Sequence, residues 1–293
     1  MFHFLLLCFI FLSFILKHFL SKPLPIYLID FSCLKPPNYC RVPFSSFLEN
    51  ASLIECFENE SISFMEKVLH SSGQSEQTCL PPSLHYIPPK THHSEAIKEF
   101  HMVIFPVMED LFAKTKISPF DIDILILNCS GFCPSPSLTS IVINKYAMKC
   151  DIKSYNVSGM GCSASALCMK SEGDYYVPDF KSVIQHFCLP CPGKGVIREV
   201  GKGLRLGERE IEAALMTLHR FGNQSSSSLW YELAYLEAKE RVKKGDNIWL
   251  LGIGSGTKCC SVVFKCIRPI LGEYEKGPWR DCIHQYPILA TSY

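Results

Sequence analysis

The chain has 293 residues, of which 47% are hydrophobic and 19% charged, enough to bury a sizeable core and too apolar to stay disordered. A formal net charge of +1, with no dense Lys/Arg cluster, excludes a surface built to track a polyanion, so nucleic acid is not an expected partner. Sixteen cysteines are scattered without regular spacing, which reads as reduced, buried thiols and not as the disulfide framework of a small secreted domain.

Five Asn-x-Ser triplets begin at Asn50, Asn59, Asn128, Asn156 and Asn223. Alone they would favour lumenal exposure, but such triplets arise by chance, and three fall in segments read below as core or active site. Phe2 to Leu20 is nearly all Phe, Leu and Ile, and about 20 apolar residues cross a bilayer as a helix. Lys17 and His18 can snorkel near its end. A signal peptide would have a cationic start and a small-x-small cleavage site, and neither is present, so residues 1–21 are expected to be a retained transmembrane anchor. The cations that follow, Lys17, Lys22, Lys35 and Arg41, place the bulk of the chain in the cytosol.

Past the anchor, Ile26 to Asp30 reads as a short strand that Lys35-Pro36-Pro37 ends. Residues 43 to 72 have helical spacing, and Leu80 to Lys90 is a Pro-rich surface connection. Ser94 to Lys114 repeats apolar residues at helical intervals, with Pro106 expected to kink it. Ile122 to Leu127 reads as a buried strand, Ser137 to Met148 as a helix, and Lys153 to Val157 as a second strand. This alternation predicts an α/β fold with parallel pairing. Farther on, Ser228 is placed to cap a helix through Trp230, Leu233, Leu236 and Ala238 that Gly245 would stop. Ile248 to Ile253 is a buried strand, interrupted by Gly252, Gly254 and Gly256, and the tail 271–293 shows no period.

The chemistry is concentrated at Asn156-Val157-Ser158-Gly159-Met160-Gly161-Cys162-Ser163-Ala164. Glycines after a strand permit a tight turn and close substrate approach, and a following helix start would lower the thiol pKa, so Cys162 is the candidate nucleophile. Against it stands a buried structural thiol, one of sixteen. Cys188-Leu189-Pro190-Cys191 has redox or zinc spacing but lacks a second pair, so no metal site is expected. Gly254-Ser255-Gly256 lacks the Gly-x-Gly-x-x-Gly frame of a nucleotide loop and reads as backbone brought close to a thioester arm.

Four ordered motifs then resemble the plant 3-ketoacyl-CoA synthases over residues 24 to 268. They are Tyr27 to Cys33 with Lys35-Pro36-Pro37; Asn128-Cys129-Ser130 with Pro134 to Leu138 and Ile152 to Ala164; Leu218-His219-Arg220-Phe221-Gly222-Asn223 with Ser225 to Tyr235; and Gly254-Ser255-Gly256 with Lys258-Cys259. The resemblance implies a thiolase-like fold of two related α/β halves, here 22–170 and 177–270. It also implies decarboxylative condensation of acyl-CoA with malonyl-CoA, with no bound cofactor. By matching motifs, Cys162 is the nucleophile and Asn223 the oxyanion donor; His219 matches a family histidine, and His186 the first histidine of the His-Phe-Cys-x-His motif. The resemblance further implies the endoplasmic reticulum membrane, a homodimer and other elongase subunits as partners.

Three departures stand against that pattern. One membrane segment appears where the family has two, so the family's beginning is expected to be missing or rewritten. Pro190 stands where the family has its second histidine, and proline neither donates nor accepts a proton. The segment from Val177 already resembles the start of the second half, only a few residues after Cys162, so much of the first half is absent. The join at 171–176 looks like the scar of exon skipping or of a gene-model error. A type III polyketide synthase-like acyltransferase is one competing reading, and an inactive homologue acting as a binding protein is another.

Overall fold

In the computed structural model, residues 25–163, 179–254 and 258–288 are described. The chain to Phe31 forms one unit and Ser32 onward another. Within the first, Ile26–Asp30 does not form the expected strand: β propensity reports fit to a half-buried pleated surface, and Ile26 is 84% exposed. The expected anchor at 2–20 lies outside the described residues, among which no helix is long and apolar enough to cross a membrane. The join at 171–176 lies outside them too.

The second unit opens with α1 (Phe44–Ser52) and α2 (Asn59–Ser72). The single helical stretch expected over 43–72 is divided because Ile54 N–H bonds to Ala51 O and Phe57 N–H to Ile54 O, tight turns that replace the α ladder. A long helix, α3 (His93–Thr115), continues through Pro106 and stops at Lys116 in a left-handed cap. Strand β1 (Ile124–Asn128), helix α4 (Leu138–Lys145) and strand β2 (Lys153–Val157) follow, the strands pairing in parallel from Ile124↔Lys153 to Asn128↔Val157. Ser137 Oγ caps α4 by accepting Ser140 N–H. Phe100, Leu127, Leu138, Val142 and Met148 are buried together where α3 and α4 cover β1.

The C-terminal part has β3 (His186–Cys188), α5 (Lys194–Gly203), α6 (Glu208–Phe221), α7 (Ser228–Ala238), β4 (Asn247–Gly254) and β5 (Lys258–Lys265). The sheet order is β3-β4-β5, parallel between the first two and antiparallel between the last. Phe187, Leu189, Ile197, Ile211, Leu218 and Leu251 form its core. Three expectations need correction. Ser228 is the first residue of α7 and its Oγ accepts Gln224 N–H; α7 ends at Ala238, well before Gly245, whose φ of +100° turns the chain toward β4. Strand β4 runs unbroken through Gly252 to Gly254, because β5 completes its ladder as far as Gly254↔Lys258. The tail is irregular yet packed: Trp279 is fully buried, its Nε1 donates to Tyr231 O at 2.8 Å, and its ring meets Phe221, Tyr235 and Tyr286 edge-on.

Candidate active site

Strand β2 delivers the chain into a tight turn, Gly161–Ser163, with Gly159 and Gly161 at φ +68° and +54°, a backbone that side chains rarely tolerate. Cys162 is half-buried there, and Ser225 Oγ donates to its sulfur at 3.0 Å. Ser225 N–H in turn donates to Asn223 Oδ1 at 2.8 Å, an Asx turn that leaves the Asn223 amide nitrogen as a donor for a ligand. One serine thus joins the predicted nucleophile to the predicted oxyanion donor. Its φ of +55° belongs to a region sparse for residues other than glycine, and such strain is held where neighbours over-determine it. Asn128 Nδ2 donates to Ser226 Oγ at 3.1 Å, tying the end of β1 to the same serine run.

The turn rests on β4. A Cβ at Gly252 would stand 3.0 Å from Cys162 O and 3.1 Å from Ser163 Cα, and one at Gly254 would collide with Met160 O and lie 2.8 Å from Ser163 Oγ. Only glycine permits that approach. Gly254, read from sequence as a thioester-arm contact, therefore packs against the nucleophile turn; Ser255 and Gly256 lie outside the described residues.

The structure pairs the two histidines elsewhere, His186 with an aspartate and His219 with a tyrosine. His186 Nε2 bonds to Asp246 Oδ2 at 2.9 Å, and its strand position is opposite Ile248, four residues before Gly252. At about 3.3 Å per residue that is roughly 13 Å along the sheet. His219 Nδ1 pairs with Tyr286 Oη at 3.0 Å, and burial, helped by Arg220, pushes its pKa down to about 4. It anchors the tail as a neutral ring. Pro190 is buried two residues beyond Cys188, where β3 ends opposite Leu250; the β3–β4 register carried two residues on leads to Gly252.

Cys188 and Cys191 are fully enclosed, and burial raises both thiols well above their usual range, so neither is available as a thiolate. No His/Cys/Asp/Glu group among the described residues could hold a metal ion, and every described cysteine is free. Sequence reasoning missed Ser225, Gly252 and Glu232. The Asn223-x-Ser225 spacing is itself the signature of an Asx turn.

A cysteine on a glycine turn, hydrogen-bonded through a serine to an asparagine and seated on a strand of the C-terminal part, is the arrangement expected of a thiolase-like condensing site. Comparison with known proteins agrees. Residues 18–172 match the family model FAE1/Type III polyketide synthase-like protein, and 181–266 match the 3-oxoacyl-(acyl-carrier-protein) synthase III C-terminal model. Solved structures show the same mixed α/β fold. A tetrahydroxynaphthalene synthase from Streptomyces coelicolor, a bacterial type III polyketide synthase, aligns with TM-score 0.61 at 13% identity over 78% of this chain and 96% of that one. PKS-I from the brown alga Ectocarpus siliculosus aligns with 0.62 at 14% over 84% and 100%. Among curated relatives, 3-ketoacyl-CoA synthases 5 and 6 of Arabidopsis thaliana are each 35% identical over 93% of this chain, covering 83% and 82% of their own lengths. The chain belongs to the 3-ketoacyl-CoA synthase family, whose members are condensing acyltransferases. Both alignments run over 411 positions, far more than the 293 residues present, so well over a hundred aligned positions have no counterpart here.

Proposed function

We propose that the chain condenses acyl-CoA with malonyl-CoA at Cys162, as an elongase component for very long acyl chains. The observation that carries this reading is the Cys162–Ser225–Asn223 constellation on its glycine seat. The Cys162 sulfur attacks the acyl-CoA carbonyl, a carbon–sulfur bond forms, and CoA leaves as the thiolate. Malonyl-CoA then loses carbon dioxide, its carbon attacks the thioester, and a 3-ketoacyl-CoA two carbons longer departs while the sulfur regains its electron pair. Asn223 donates its amide N–H to the enolate oxygen as charge develops there, the step in which a fixed donor is worth most. Both substrates bring their own activation, so the cycle draws on no bound cofactor. Pro190 supplies no base, which favours slow loading of the thiol.

Radiolabelled acyl-CoA should label the chain, and Cys162→Ala should abolish that label; full labelling of the variant would move the nucleophile elsewhere. We further propose that residues 2–20 hold the chain in the endoplasmic reticulum membrane with its catalytic part cytosolic, beside a second copy and other elongase subunits. The apolar run and the cations after it support this. Intact protein in the soluble fraction after a carbonate wash would contradict it.

A further inference from the structure

The segment after β3 is gripped from a single point in the core. Glu232, one turn into α7 and fully buried, accepts Leu189 N–H on Oε2 at 2.7 Å and the Cys191 thiol on Oε1 at 2.9 Å. Position 190 lies between those two residues, where the β3–β4 register, carried two residues past Cys188, leads to Gly252, the strand position that backs onto the Cys162 turn. The Cys191 thiol is raised first by burial and next by Glu232. A carboxyl this deep is costly unless its hydrogen bonds are met, and both of its oxygens are committed to the neighbours of one residue. The approach to α7 holds the Cys162 sulfur through Ser225, while its second turn holds 189–191.

We propose that Glu232 is a positioning residue: it fixes the chain so that the side chain at position 190 is presented to Cys162. This rests on Cys162 being the reacting thiol of the condensing site. Pro190 uses the place for packing alone, but an imidazole there would meet the sulfur.

The test is a double-mutant cycle on the full chain in detergent. Cys162 alkylation by iodoacetamide is followed peptide by peptide across pH, since this small probe needs no acyl tunnel. Pro190→His should raise the rate at neutral pH by at least about tenfold, along an imidazole titration near pH 6.5. Adding Glu232→Leu should erase both the gain and the imidazole titration. Adding Glu232→Gln should retain them, because its amide oxygen still accepts Leu189 N–H. Thermal melts check that each variant is folded. A gain that survives Glu232→Leu in folded protein would overturn the proposal, as would no gain from Pro190→His in the otherwise unaltered chain. If Glu232→Leu does not fold, the Glu232→Gln arm decides: loss of the gain there overturns it. Failure of the condensing reading shows separately, as acyl-CoA labelling that persists in Cys162→Ala while the alkylation cycle behaves as expected.

Discussion

The candidate nucleophile depends on residues that carry no reactive group. Gly254 has no room for a methyl beside Met160 O and Ser163 Oγ, so Gly254→Ala must push the turn away from Ser225. Labelling of Cys162 by acyl-CoA should then fall at least about tenfold, equivalent to about 1.4 kcal/mol of misplacement. Gly203→Ala, where an added Cβ meets nothing, is the control and should label normally. Equal labelling in both variants would remove the seat from the mechanism. At this scale the sequence was legible where a residue's role is local: the strand, glycine turn and thiol sit within a few positions, and Asn223 and Ser225 are two apart. It was silent where the role is a distant contact. Nothing near Gly252 or Glu232 in the chain announces that one backs onto Cys162 and the other grips Leu189 and Cys191.

Helices α6 and α7 carry buried titratable groups that give the fold an opposed response to pH. Burial pushes Glu232 up to about 8, with the Cys191 and Leu189 hydrogen bonds pulling the other way, and pushes His219 down to about 4. The raised carboxyl stabilises the fold while protonated; that contribution is complete below about pH 4.5 and lost as pH rises through about 8. The lowered imidazole contributes fully above pH 6.5 and loses its part as pH falls through about 4. From pH 6.5 to about 8 the carboxyl acts without that opposition, so urea midpoints should fall over that interval. Glu232→Gln should flatten the fall, and an unchanged slope in that variant would assign the loss to another group. Elements with strong periodicity or caps were readable, namely α3, α4, β1 and β2, although β1, expected to be buried, leaves Ile124 and Ile126 exposed. Strand β5 was not, because its exposure alternates on a run of cysteines and valines that carries little polar contrast. The tail was not, because its order comes from Trp279 wedged among aromatic rings and not from any repeat.

For the whole molecule, the missing positions outweigh the missing histidine. Losing one proton-transfer or oxyanion group costs a few kcal/mol of transition-state stabilisation, whereas deleting a block of sheet removes burial comparable to the whole margin of about 5–15 kcal/mol. The described first part has a sheet of only two strands, with Ile124, Ile126 and Tyr155 exposed on it. Pro190→His alone should therefore leave malonyl-CoA condensation as weak as in the unaltered chain. A family-like insert between Lys170 and Tyr175 should raise the melting temperature first, and Pro190→His added to it should recover turnover. Robust 3-ketoacyl-CoA formation by the unaltered chain in microsomes lacking other elongases would sink this ordering. The family was legible because four motifs kept their order across the gap. The extent of the loss became measurable only against full-length relatives.

The seat beneath Cys162 also sets a schedule for biosynthesis. The cysteine leaves the ribosome ninety residues ahead of Gly252, the strand position it must lie on. At about 5–20 residues per second, the thiol waits roughly 5–20 s before its support exists. During most of that interval neither Ser225 nor β4 has been made, so the nascent chain carries a glycine-flanked cysteine with nothing to shape its reactivity. Enzymatic competence therefore arrives late and all at once, when the final sheet closes, and a translation pause placed before residue 247 would prolong the one period in which the sulfur is an ordinary, unguarded thiol.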